Sequence, residues 1–162
     1  MKVNKLLVPL AFSMLFGSGI ATAADFNKGW AAWLSGDFKT ALAEWTPLAE
    51  QGDAAAQIEL GLMYENGQGV LENDKTAVKW YTKAAEQGLA DAQANLGYMY
   101  FNGDGVLTDY LRAYMWFNLA SYNSHEMAGN NKNKLVKQMT RADISKAQDM
   151  SSRCLGNNYT GC

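Results

Sequence analysis

The chain has 162 residues, 48% of them hydrophobic, with 14 basic against 16 acidic side chains. That is enough apolar chain for one domain with a real core, and it excludes a wholly disordered protein. The near balance of charge, net −2, leaves no basic footprint for a phosphate backbone, so nucleic acid is not an expected partner.

Residues 1–23 read as a secretory signal peptide. Lys2 and Lys5 make a basic start, Leu6 to Ile20 is an apolar run, and Ala21-Thr22-Ala23 places small residues where a signal peptidase reads. The alternative, a retained anchor, is disfavoured because the run is short for a span and no positive cluster follows it. No Cys follows the run, which argues against lipid attachment. Cleavage after Ala23 removes two lysines and no acids, leaving 12 basic and 16 acidic residues, a net charge of −4. The expected product is periplasmic or secreted, with no membrane insertion after cleavage.

The rest of the chain is organised by a repeat. The stretch 53–88 is written again as 89–124 at an offset of 36, with 15 of 36 positions identical. Gln57 matches Gln93, Leu60 matches Leu96, Gly61 matches Gly97, Tyr64 matches Tyr100, and Trp80 matches Trp116. Residues 25–52 look like a degenerate first copy. Ala41, Trp45 and Ala49 fall in the columns of Ala77, Tyr81 and Ala85, and the first half aligns if the connecting loop is five residues shorter.

Each copy predicts two helices. Ala56, Leu60 and Tyr64 recur at four-residue spacing on one face, with Gly61 beside them. A glycine inside a helix costs about 1 kcal/mol relative to alanine, so its recurrence points to close backbone approach of a neighbouring helix. Asn66-Gly67-Gln68-Gly69 ends the first helix, and Asn73 and Asp109 are placed to cap the second. Ala77, Trp80, Tyr81 and Ala84 then recur at three- and four-residue steps, small residues facing large ones as interlocked helices require. Gly88 is positioned to close that helix; Ser124 stands in its column in the third copy.

These residues resemble the Sel-one-like repeat (SLR) family of the tetratricopeptide superfamily, in its exported bacterial form. The shared pattern is A-x-x-x-L-G-x-x-Y-x-x-G-x-G-V-x-x-[D/N]-x-x-x-A-x-x-W-[Y/F]-x-x-A-A, strong over 53–121 and weak over 25–52. Asn73 stands where Asp is usual, and Ser121 where a second alanine is usual. The resemblance implies an all-α fold, an α-solenoid of about three antiparallel helix pairs, used to hold partners rather than to catalyse. A single such unit cannot bury its apolar face alone.

Past Ser121 the repeat is expected to stop. Residues 125–162 then form a C-terminal helical cap: a polar loop at Ser124 to Gly129, a short helix over 132–139, and a helix started by Thr140-Arg141-Ala142-Asp143 and ending near Cys154. Cys154 and Cys162 are close enough in sequence to pair in an oxidising compartment.

Reaction chemistry is not written in the chain. His125 is the one histidine, and no carboxylate or thiol set with ligand spacing surrounds it. No nucleophile elbow or phosphate loop is present, and the glycine-rich segments recur as turns. No catalytic residue, metal or cofactor is expected. Some cysteine-rich relatives of the repeat family imply a rival reading, a cell-wall or β-lactam hydrolase, but their cysteines recur in each unit and these units contain none.

What the resemblance implies instead is a groove. In tetratricopeptide-type stacks the first helix of each pair lines the concave side. Its positions outside the packing motif are Asn27, Ala31 and Leu34, then Ile58, Leu62, Glu65 and Asn66, then Ala94, Tyr98, Phe101 and Asn102. A mixed apolar and amide surface of this kind suits a protein or peptide partner. The alternative is that the C-terminal cap folds over these residues.

Overall fold

A computed structural model of the chain describes residues 24–162, and the leader expected at 1–23 lies outside them. Among the described residues the regular structure is helical throughout: α1 (Phe26–Leu34), α2 (Phe38–Glu50), α3 (Ala54–Glu65), α4 (Asp74–Ala85), α5 (Ala90–Asn102), α6 (Tyr110–Tyr122), α7 (Glu126–Leu135) and α8 (Arg141–Gly156), with a 3₁₀ turn at Val136–Gln138. Helices adjacent in sequence pack in pairs, α1 with α2, α3 with α4 and α5 with α6, and each pair meets the next through α2·α3, α4·α5 and α6·α7. The all-α paired stack is the fold that the pattern predicts.

Helix starts follow the sequence signals. Asp25, Asp37, Asp53, Asn73, Asp109 and Thr140 each accept a hydrogen bond from a backbone N–H of the first turn. Each such cap contributes about 1 kcal/mol.

One contact repeats inside every pair. Trp45, Tyr81 and Phe117 are fully buried, and each lays its ring on a glycine of the partner helix: Gly29, Gly61 and Gly97. A Cβ at any of these glycines would fall within 3.0 Å of ring atoms. The recurrent glycine therefore accommodates an aromatic ring from the second helix, rather than the bare backbone approach expected from its position.

The same contact corrects the register of the first copy. Gly29 corresponds to Gly61, an offset of 32. The backbone bond from Asp37 N–H to Ala32 C=O agrees, since its equivalents join Asn73 to Tyr64 and Asp109 to Tyr100. The first loop is thus four residues shorter than the others, not five. In the longer loops Gly69 sits against Phe38, and Gly105 against the backbone of Asp74, the first residues of α2 and α4.

Pairs are also joined by buried amides. Gln57 Nε2 donates to Ala49 C=O at 3.0 Å and Gln93 Nε2 to Ala85 C=O at 3.2 Å, each reaching back to the preceding helix. Gln87 and Asn123 then donate to the Gln57 and Gln93 carbonyls at 2.9 and 3.0 Å. Satisfying these buried amides is what makes them affordable in the core.

The C-terminal region departs from expectation. Helix α7 begins at Glu126, not near Lys132, and it keeps the 36-residue register: N-cap His125 follows Asp53 and Leu89, buried Ala128 follows Ala56 and Ala92, and buried Leu135 follows Met63 and Met99. Helix α7 therefore starts earlier than the sequence suggests and stands in the register of the first helices of the preceding pairs. Its polar surface hid this, because only the inward positions hold the pattern. Helix α8 does not complete the pair; it packs along α6. The Cys154–Cys162 disulfide closes, with Cα atoms 5.3 Å apart, and folds back a tail whose Tyr159 hydroxyl donates to Asn123 Oδ1 at 3.0 Å.

Candidate functional site

Helices α1, α3, α5 and α7 occupy equivalent places in the stack, and their positions outside the pair contacts form one face. Side-chain contacts tie the row together. Trp33 Nε1 donates to Gln68 at 3.1 Å, Ile58 and Leu62 pack against the core that holds Ala92, Leu96 and Met99, and Tyr98 bonds through its hydroxyl to Asn131 of α7.

The expected groove residues divide into open and occupied positions. Asn27 is exposed on α1, and Leu34 is 65% exposed at its end. Ile58 and Leu62 are half-buried. Glu65 accepts a 2.6 Å hydrogen bond from the Tyr81 hydroxyl, and burial with this carboxylate holds the phenol proton far above its usual range, so Tyr81 stays a neutral donor. Asn66 Nδ2 caps its own helix through Leu62 C=O at 2.8 Å, and Asn102 Nδ2 turns to Asp104 Oδ2 at 2.9 Å. Tyr98 remains 41% exposed while standing edge-on to Phe117, with ring centroids 5.2 Å apart. Phe101 is half-buried, stacked on Tyr110. Ala31 is exposed, whereas Ala94 is buried in the cluster that includes Ala128 and Leu135 of α7. The C-terminal region thus covers part of the third unit and leaves α1 and α3 uncovered.

Two residues of this face were missed in the sequence. With the register at 32, Trp30 falls in the column of Leu62 and Tyr98; it is 40% exposed and stacked on Trp33 at 5.3 Å. Glu59 falls in the column of Asn27 and Asn95. The glycine column was the signal that could have placed Trp30, whereas Glu59 already stood 36 residues before Asn95.

Elsewhere the chemistry is structural. His125 caps α7, its Nδ1 accepting from Ala128 N–H at 3.1 Å, with Nε2 3.6 Å from Asp91 Oδ1. The imidazole nitrogen that a general base would use is thereby committed to a helix end. Among the described residues no three His, Cys, Asp or Glu side chains gather where a metal ion could be held. A cleft of about 300 Å³ beside the disulfide is lined by Met115, Met150, Arg153 and Asn157, with one cation and no nucleophile. No helix among the described residues is long and apolar enough to cross a membrane.

Comparison with known proteins gives the same architecture. The Sel1 repeat family pattern matches residues 54–89 and 90–125. Among solved structures, the chain is similar to an SLR-fold protective antigen present in uropathogenic Escherichia coli strains, with 32% identity and a TM-score of 0.77 over 82% of this chain and 30% of that one. It is also similar to a Sel1 repeat protein from Oxalobacter formigenes, with 32% identity and a TM-score of 0.66 over 68% of this chain and 46% of the other. The chain thus spans less than half the length of either. No curated protein matches it.

Proposed function

Because the chain carries two tandem Sel1 repeats, in a family whose members typically scaffold protein interactions, we propose that it is a non-catalytic scaffold holding a protein or peptide partner on the face of its odd-numbered helices. The observation that carries this reading is a contrast within the repeat. Columns that recur, such as glycine and its ring, are consumed by packing. The column that changes, Trp30 to Leu62 to Tyr98, lies on the open face and keeps large apolar surface in reach of solvent. Apolar side chains gathered on an otherwise polar surface favour association. The scaffold works outside the cytoplasm: the leader-like start and the closed cysteine pair both support that address.

A photo-crosslinking residue tests the face. Placed at Leu34 or Tyr98 it gives partner adducts in cells, and placed at Lys79, exposed on α4, it gives none. Equal adducts at Lys79, or none from Leu34 and Tyr98, would remove the groove from consideration.

A further inference from the structure

We infer that this face takes an extended, basic peptide segment, with a lysine or arginine of the ligand seated at Glu59. The inference rests on the reading that the odd-helix face holds the partner, and it adds what that partner is made of.

One position recurs on all four odd helices: Asn27 on α1, Glu59 on α3, Asn95 on α5 and Asn131 on α7. Three are amides and one is a carboxylate. Glu59 is half-buried, and no hydrogen bond or ion pair reaches it among the described residues. Burial holds its carboxyl above the usual range. A desolvated carboxylate without a cation is unfavourable, and a ligand ammonium or guanidinium relieves it.

The surrounding charges point the same way. Helices α1, α3 and α5 carry Lys28, Glu59, Glu65 and Asp91. Lys28 is already paired with Glu44. Glu65 receives only the neutral Tyr81 hydroxyl, and Asp91 stands beside His125 at the start of α5. On the neighbouring α4, Lys83 is drawn away over the Trp80 ring. The next cation along the row is Lys134 of α7, beyond Tyr98. Two of these three helices, α3 and α5, therefore present carboxylates, and the one cation among the three is paired with Glu44, which favours a basic occupant over an acidic one.

The remaining geometry suits an extended chain. Asn27 and Asn95 hold the equivalent position on the helices either side of Glu59; the exposed Asn27 offers a donor and an acceptor for a main chain, while the half-buried Asn95 also reaches the Tyr81 hydroxyl. Trp30, Leu62 and Tyr98, one helical turn along, offer apolar contact to the side chains between.

Panning a displayed library of random nonapeptides against the described chain and its Glu59→Gln variant tests this. The expected result is enrichment of Lys or Arg at one position for the parent chain and loss of that preference in the variant. A synthetic enriched peptide should bind Glu59→Gln about tenfold more weakly by fluorescence anisotropy, with helicity intact. An enriched pool without a basic position, or one that Glu59→Gln binds equally well, overturns the inference and leaves the scaffold reading standing. No enrichment at all also overturns it, and the crosslinks at Leu34 and Tyr98 then judge the scaffold separately.

Discussion

The Phe117 ring on α6 occupies the space where a side chain at Gly97 on α5 would begin, since a Cβ there would meet ring carbons at 2.5 Å. The ring is itself fully buried and has Tyr98 packed on it in a T-shaped contact, so it has nowhere to retreat. Gly97→Ala is therefore expected to destabilise the fold by about 1–3 kcal/mol, against the small gain alanine brings to a helix interior. Urea unfolding measures the loss. Phe117→Leu in the same chain should recover part of it, a coupling that independent sites would not show.

Ser124 adopts φ of +71° in the column where Gly52 and Gly88 take +100° and +85°. A left-handed backbone costs a residue with a Cβ about 1 kcal/mol. Ser124→Gly is expected to raise stability by up to that amount, seen as a higher thermal midpoint. A lower midpoint would mean that the Ser124 side chain stabilises the turn.

Asn123 joins three parts of the chain: Nδ2 donates to Gly88 C=O at 3.1 Å and to Gln93 Oε1 at 3.0 Å, and Oδ1 accepts from Tyr159. Asn123→Ala strips a partner from the fully buried Gln93 and should cost about 1–3 kcal/mol. Tyr159→Phe removes one partly exposed bond and should cost about 1 kcal/mol or less. Equal losses in chemical denaturation would contradict this ranking.

Reduction of Cys154–Cys162 opens a small loop, and the chain-entropy account gives about 2–3 kcal/mol for it. The tail it releases bears Tyr159, which lies against Gly88. Reducing agent is expected to lower the thermal midpoint while leaving far-ultraviolet helicity nearly unchanged.

Glu59 makes stability depend on pH in a definite direction. Its carboxyl is raised by burial, so the folded chain keeps this proton to higher pH than the unfolded chain does. The group's contribution is therefore greatest in acid and falls as pH rises through its folded value. Glu59→Gln should raise the thermal midpoint at neutral pH and flatten its dependence in mild acid. A lower midpoint at neutral pH would mean that the ionised carboxylate is already compensated.

Much of this was legible before the structure. Paired helices, caps at Asn73 and Asp109 and the ring positions of Tyr81 and Phe117 recur in fixed columns, and recurrence separates packing from chance. Helix α7 was illegible for the opposite reason. Its surface letters Asn130, Asn131, Lys132, Asn133 and Lys134 carry no apolar period, and only Ala128 and Leu135 hold the register. The face was legible in outline but not in detail. Glu65, Asn66 and Asn102 have the right residue types for binding, yet each is spent on a local hydrogen bond that no sequence spacing declares. Trp30 escaped because a one-residue error in the first loop moves it out of its column.

The loops that lean on the preceding helix give the stack a direction. Gly69 seats on Phe38, the first residue of α2, and Gly105 on Asp74, the first residue of α4. Each module thus carries the plug, and its predecessor the socket. The socket admits only a residue without a Cβ, since one at Gly69 or Gly105 would fall within 3.0 Å of Phe38 or Asp74. Lengthening or shortening such a chain by a whole module re-creates the same joints, whereas a cut at any other phase leaves a plug with no socket.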